Sequence, residues 1–287
     1  MAQQFKNLII NSNKFSYVSN KLRAFFLQRG FIETHTQNRL SILAACEDPA
    51  TIATFNYAGT KFPLPQTGQM WLEWEILKNP KPAGYFCLST SYRNEPEPVE
   101  GRHELVFPMF EFELHGGIEE LAKLETDLSH HLGYKKDSIA MGDYEKLAKF
   151  YNTKEITHQH ETQLYNDGFP VVLLSNFPEF TSPFWNMKRN PITGLSNKID
   201  VIMSGMETIG SAERETDKDL MRKRFKTISN GQYAFLLYKL FGKDRVDAEL
   251  DEFLSHKFFP RSGGGIGITR LIRSMEMENL IPAQVLA

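Results

Sequence analysis

At 287 residues and 41% hydrophobic content, the chain can bury one large core or two small ones. Its charged residues make up 24% and nearly cancel, to a formal net of -2, which excludes a polycation that grips nucleic acid by surplus charge alone. Cys46 and Cys87 lie far apart and outside any C-x-x-C spacing, against a disulfide framework or a zinc site; the start lacks a signal-peptide pattern and no apolar run reaches membrane length, so a cytoplasmic location is expected.

Val18, Leu22, Phe25 and Phe26 recur at helical spacing within residues 16–30, and Gly30 supplies a stop. Residues 31–36 alternate as a strand, and an irregular stretch follows to about residue 65. A short helix over 70–77 ends at Asn79-Pro80-Lys81-Pro82. Residues 85–93 and 105–115 are aromatic-rich and of strand composition, joined by a polar loop with Pro96, Pro98 and Gly101, so they predict an antiparallel hairpin. Helices are predicted over 118–132 and near 144–151, strands at 171–174 and 198–203, a helix over 229–241, and turn, strand and glycine-rich bend over 258–269. With no internal repeat or linker, the pattern is α+β: an antiparallel β-sheet flanked by helices, in a single domain over 1–287.

Three clusters carry candidate chemistry. Arg93-Asn94-Glu95 and Arg102-His103 face each other across the hairpin loop, and arginine forks suit polyphosphate oxygens. Ser262-Gly263-Gly264-Gly265-Ile266-Gly267 lets backbone approach a flat ligand before Arg270 enters a helix start; it lacks the Gly-Lys-Ser/Thr of a Walker loop. Asp200 and Glu207 are hard oxygen donors suited to magnesium, with Arg214 beyond them. Taken singly, the two charged clusters also read as solvated charged turns and the glycine-rich bend as a structural turn.

In order and spacing, these clusters resemble the class II aminoacyl-tRNA synthetases, within them the asparaginyl/aspartyl branch. Ser91-Tyr92-Arg93-Asn94-Glu95 with Arg102-His103 resembles that family's second motif, Gly265-x-Gly267-x-x-Arg270 its third, and residues 31–37 its first. Thr67-Gly68-Gln69-Met70-Trp71-Leu72-Glu73, Ser182-Pro183-Phe184-Trp185-x-Met187-Lys188 and Glu207-Thr208-Ile209-Gly210-Ser211-Ala212-Glu213-Arg214-Glu215 are similar to segments of asparaginyl enzymes. The resemblance runs over about residues 15–280.

It implies a class II catalytic fold that activates an amino acid with ATP as an aminoacyl-adenylate. Arg93 and Arg270 would be catalytic, Arg93 at the α-phosphate and substrate carboxylate. Glu95 and Phe107 would meet the adenine, and Arg102, His103 and Arg270 the phosphates, with Glu207, Gly265 and Gly267 also at the nucleotide. Gln69 and Arg214 would hold the amino acid, and Asp200, Glu207 and Ser211 the Mg2+. Departures from the pattern are Gln37 for a proline of the dimer-forming first motif, Val106 for a glutamate, Thr269 for an acidic residue and Glu213 for a glutamine; Leu72 stands where aspartyl enzymes carry lysine. No N-terminal anticodon-binding OB-fold domain is expected, so the implied product is asparagine, made from aspartate, ATP and ammonia. Transfer to tRNA, a protein or a small molecule, and a regulatory non-catalytic module, are the alternatives; a homodimer is expected. His115, His130, His131, His158 and His160 lack matched ligand spacing and read as surface histidines.

Overall fold

The computed structural model describes residues 10–36, 49–181 and 183–286; Gln37, Cys46 and Ser182 lie outside them. Helix α1 (Ser12–Gln28) starts a turn earlier than its periodicity predicts because Asn11 caps it, accepting from the amides of Asn13 and Lys14. Val18, Leu22, Phe25 and Phe26 form its buried stripe. Gly30, at φ +79°, then turns the chain into β1 (Phe31–Glu33).

Part of the stretch expected to be irregular is a hairpin of β2 (Thr54–Tyr57) and β3 (Thr60–Pro63), turning at Ala58 and Gly59. These strands are mostly exposed, so no inward alternation marks them. Helix α2 (Gln69–Lys78) ends at the Asn79-Pro80 break. Strands β4 (Gly84–Tyr92) and β5 (Val106–His115) form the predicted hairpin, in register from Gly84 opposite Leu114 to Tyr92 opposite Val106. Helix α3 (Ile118–Leu132) matches its periodicity residue for residue.

The chain continues through β6 (Ile139–Asp143), α4 (Tyr144–Phe150), α5 (His158–Asn166), β7 (Val171–Phe177), β8 (Ser196–Met203), β9 (Met206–Glu213), α6 (Lys218–Thr227), α7 (Gln232–Phe241), α8 (Lys243–Ser255), β10 (Arg261–Gly267), α9 (Ile268–Met277) and α10 (Ala283–Leu286). Strands β6 and β9 and helices α5, α6 and α8 carry no assignment from the sequence pattern. The glycine-rich segment is a regular strand rather than a bend.

Eight strands join in the order β1-β4-β5-β10-β9-β8-β7-β6. Only the outermost pairs, β1 with β4 and β6 with β7, are parallel; the interior is antiparallel, as the α+β reading requires. Alternate residues of a strand face opposite ways. Phe110, Phe112, Ile199, Val201, Ile209 and Ile266 point to one face and pack with α1, α3 and α9 in a common apolar core. A second core gathers α2, α6, α7 and α8 around Trp185, Phe225 and Phe253.

The glycines of β10 have a steric reason. A Cβ on Gly263 would stand 2.0 Å from Glu113 Oε2, on Gly264 2.5 Å from Ser211 Cβ, and on Gly265 2.5 Å from Met109 Cε. Side chains from the flanking strands thus lie across β10, and only glycine leaves them room. On the helix-covered face α3 buries Glu125 completely. Burial pushes its carboxyl up to about 8, offset in part by the Ser211 hydroxyl and reinforced by the Asp200 charge.

Candidate active site

The open face of the sheet floors a cleft of about 700 Å³. Register lays out that floor in rows. Lys198, Ala212, Gly263 and Glu113 stand side by side across β8, β9, β10 and β5. Asp200, Gly210, Gly265 and Glu111 form the next row, about 7 Å along the strands. Small residues in the middle and charged ones at the sides make a trough.

The closed end of the trough rests on a buried ionic network. Arg261 and Glu73 are both 0% exposed, with Arg261 Nη2 donating to Glu73 Oε2 at 2.6 Å. Asn186 Nδ2 donates to the other Glu73 oxygen at 2.6 Å. Arg214 Nη2 donates to Glu113 Oε2 at 3.2 Å and its Nε lies 3.5 Å from Glu73 Oε1. Gln69 Nε2 reaches Glu113 Oε2 at 2.5 Å and the Phe112 carbonyl at 2.9 Å. Two guanidinium groups and two carboxylates are thereby interlocked, which fixes the orientation of Arg214 and Gln69 at the cleft wall. Burial pushes the Glu113 carboxyl up to about 7, with Arg214 opposing the rise and the Glu73 charge adding to it.

Glu111 performs the same service one row on. It accepts from Thr67 Oγ1, from the Gly68 amide at 2.8 Å and from Ser89 Oγ at 2.6 Å, tying β5 to the turn that launches α2 with Gln69 as its first residue.

The other end of the cleft is cationic. Arg93 stacks over Phe107, its Cζ 5.6 Å from the ring centroid. Arg102, His103, Arg270 and Arg273 complete that wall. Arg270 stands in the first turn of α9, and its fork is held by the carbonyls of Glu207 at 2.8 Å and Arg102 at 3.1 Å. Beside it, Glu104 has its carboxyl raised by burial, against the opposing pull of Thr269 and Arg270.

The predicted residues Gln69, Arg93, Arg102, His103, Phe107, Glu207, Arg214, Gly265, Gly267 and Arg270 line this one cleft, and Ser211 borders it from β9. Glu95 does not line it; its carboxylate stands 2.8 Å from His103 Nδ1, supporting that ring instead of facing the cavity. Asp200 is covered to 8% exposure, and Lys198 Nζ lies 2.9 Å from its Oδ2, so a lysine absent from the predicted set presents itself to the cavity there.

Ser211 requires a correction. It pairs with Ile199 and with Gly264, and Gly264 with Phe112, so its side chain belongs to the helix-covered face, where the hydroxyl donates to the Ile199 carbonyl at 3.0 Å. The position that looks onto the two carboxylates is Gly210, where a Cβ would lie 3.0 Å from Glu207 Oε1 and 3.8 Å from Asp200 Oδ1. Two carboxylates converging on a bare glycine suit magnesium, which is commonly held by one or two carboxylates together with substrate phosphates. Among the described residues no cluster of three or more His, Cys, Asp or Glu forms a self-sufficient metal cage. The histidines have other work: His115 stacks on Phe259, His130 and His131 meet the carbonyls of Tyr134 and Lys21, and His160 caps α5.

Glu73, Glu113, Asn186, Lys198 and Arg261 are the site residues that sequence reasoning passed over. Glu111 and Glu113 had one available signal, since two glutamates alternate with phenylalanines in β5 at positions that must face away from the apolar core.

A profile of the family described as tRNA synthetases class II (D, K and N) matches residues 5–284. The cytoplasmic aspartate–tRNA ligase of Pongo abelii is 24% identical over 89% of this chain and 55% of its own length, and the human one 23% over the same shares. The chain thus spans about half the length of the curated relatives it matches. Among solved structures, asparaginyl-tRNA synthetase from Pyrococcus horikoshii complexed with asparaginyl-adenylate superposes with a TM-score of 0.73 at 19% identity, covering 92% of this chain and 65% of that one. The Entamoeba histolytica enzyme in complex with asparaginyl-adenylate gives 0.74 at 18%, covering 93% and 63%. At such identities the superpositions establish the fold, and the near end-to-end profile match establishes more: the chain belongs to the class II tRNA synthetases of the D, K and N group, a family of ATP-dependent ligases.

Proposed function

We propose that this chain activates an amino acid with ATP, forming an aminoacyl-adenylate, and that the amino acid is aspartate. The observation that carries the reading is the polarity of the cleft: a cationic end built on Arg93, Arg102, His103 and Arg270, and a closed end where Arg214 and Gln69 are locked by buried carboxylates. In the first step the substrate carboxylate attacks the α-phosphorus and pyrophosphate leaves. A carboxylate nucleophile needs no general base, so the protein contributes alignment and charge neutralisation. Arg93 would face the α-phosphate, Arg102, His103 and Arg270 the departing phosphates. Glu207, with Asp200 behind Lys198, would hold Mg2+, which when bound neutralises phosphate charge.

Arg214 and Lys198 at the closed end support a dicarboxylate, because the carboxylate that is not adenylated would lie between two cations. The most concrete outcome is asparagine synthesis: ammonia attacks the β-acyl carbon of the adenylate and AMP leaves. Transfer to tRNA is the second reading, favoured by the curated relatives, which are aspartate–tRNA ligases. The continuous sheet from β1 to β6 supports a single catalytic domain, exposed Leu27 and Ile32 on α1 and β1 accord with a homodimer, and the relatives' names favour the cytoplasm. Among the described residues no helix is long and apolar enough to cross a membrane.

The test is amino-acid-dependent exchange of labelled pyrophosphate into ATP across all twenty amino acids. Exchange with aspartate is expected, and asparagine should appear on adding ammonium. No exchange with any amino acid would overturn the catalytic reading; exchange without asparagine, but with charging of tRNA, would select the second.

A further inference from the structure

The cationic end of the cleft is closed by a ring of contacts through four separate elements. Arg102, in the β4–β5 loop, donates from Nη2 to Glu161 Oε2 on α5 at 2.5 Å. The same oxygen accepts the Glu207 amide, at the start of β9, at 3.1 Å. The Glu207 carbonyl accepts Arg270 Nη1 at 2.8 Å, and Arg270 Nη2 donates to the Arg102 carbonyl at 3.1 Å, which completes the ring.

Arg102, Glu207 and Arg270 all line the cleft, whereas Glu161 does not. Its carboxylate therefore reaches Arg102 from outside the cavity. Both side chains are only 16% exposed, so the pair is shielded from the solvent screening that makes open surface pairs weak. Helix α5 is itself fixed: Thr157 and His160 close a capping box at its start, and it packs so near the β8–β9 turn that a Cβ on Gly205 would stand 3.1 Å from Thr162 Cα.

A guanidinium carries five donors in a rigid fork, and one contact at Nη2 leaves the others available to a second anion. An arginine that swings freely loses its rotamer freedom when it takes a phosphate; one held from behind loses little. We propose that Glu161 is a positioning residue that pre-orients Arg102, and through the Glu207 amide the start of β9, toward the distal phosphates of a nucleoside triphosphate. This rests on the nucleotide reading given above. The opposite role is also physically definite: a carboxylate that competes with phosphate for Arg102 would act as a latch, and its removal would tighten triphosphate binding.

Equilibrium dialysis of Glu161→Ala and Glu161→Gln against ATP and against AMP, in magnesium-containing buffer, separates the roles. The Ala variant should bind ATP about tenfold more weakly while AMP affinity stays unchanged, and Gln, which keeps an acceptor oxygen, should lose less. Tighter ATP binding in either variant, an equal loss for ATP and AMP, or no change would each overturn the proposal. If the native chain bound neither nucleotide, the nucleotide reading itself would have failed and this inference with it.

Discussion

Glu125 offers a quantitative test of the core beneath the cleft. In the unfolded chain its carboxyl titrates at the ordinary 4.5, while burial in α3 raises it to about 8. Between those values the folded chain holds a proton that the unfolded chain has released, so raising the pH favours unfolding. Each unit of separation corresponds to about 1.4 kcal/mol, so this one group should lower stability by roughly 3 kcal/mol at pH 7, and by only about 1 kcal/mol at pH 5. Glu125→Gln keeps the shape and removes the titration. The stability difference between variant and native chain, from urea unfolding at pH 5, 6, 7 and 8, should therefore grow in the variant's favour by roughly 2–3 kcal/mol from pH 5 to pH 7. The comparison cancels the other carboxylates, which both chains share. A difference that stayed flat with pH would mean that Glu125 is ionised or hydrated in the folded chain, and the assigned burial would be wrong.

Three further outcomes follow from the site. Arg261→Met should cost about 3–5 kcal/mol in urea unfolding, because it breaks a fully buried ion pair and leaves Glu73 with Asn186 and Arg214 as its remaining partners. Gly263→Ala should lower stability by about 1–3 kcal/mol and raise the amino-acid KM in pyrophosphate exchange with little change in the ATP KM, since the new methyl strikes Glu113 and Gln69. Lys198→Met should raise the aspartate KM at least about tenfold while leaving the ATP KM near its native value, as expected from losing a charge-assisted contact to a carboxylate; an unchanged aspartate KM would remove Lys198 from the amino-acid site.

The elements most legible in the sequence were those with a regular apolar face. Residues 118–132 bury Leu121, Leu124, Leu128 and Leu132 at helical spacing, and α3 has those bounds. The β4–β5 hairpin was legible through its aromatic runs and the proline-bearing loop between them. Strand β9 was hidden because polar and small residues fall on both of its faces: Gly210 on the floor of the cleft, and Ser211 and Glu213 on the helix-covered side, where Glu213 accepts the Ile118 amide. Helix α6 was hidden by five basic or acidic residues in its first seven positions, although Asp217 caps it. At the site, motif spacing located Arg93, Arg270 and Arg214, which occupy the ends of elements. The network behind them was opaque because Glu73, Glu113 and Arg261 come from α2, β5 and β10 and meet only after folding. Motif spacing does not resolve the face of a strand residue: the Ser211 hydroxyl turns to the Ile199 carbonyl while its neighbour Gly210 faces Glu207 and Asp200, because in a strand one position reverses the face.

Strand β10 also determines how this cleft can be altered. Its middle is glycine, so the side chains of Glu113 and Met109 lie directly over its backbone and β10 itself contributes no rotamers to the floor. No substitution there can enlarge the cavity, and on the cleft side a Cβ added at Gly263 or Gly265 would stand 2.0 Å from Glu113 Oε2 or 2.5 Å from Met109 Cε. Variation in what the pocket accepts must therefore come from the side chains around and over this strand, from Gln69, Met109, Lys198, Arg214 and the loop between β4 and β5, while the backbone of β10 serves as a fixed datum from which they are measured.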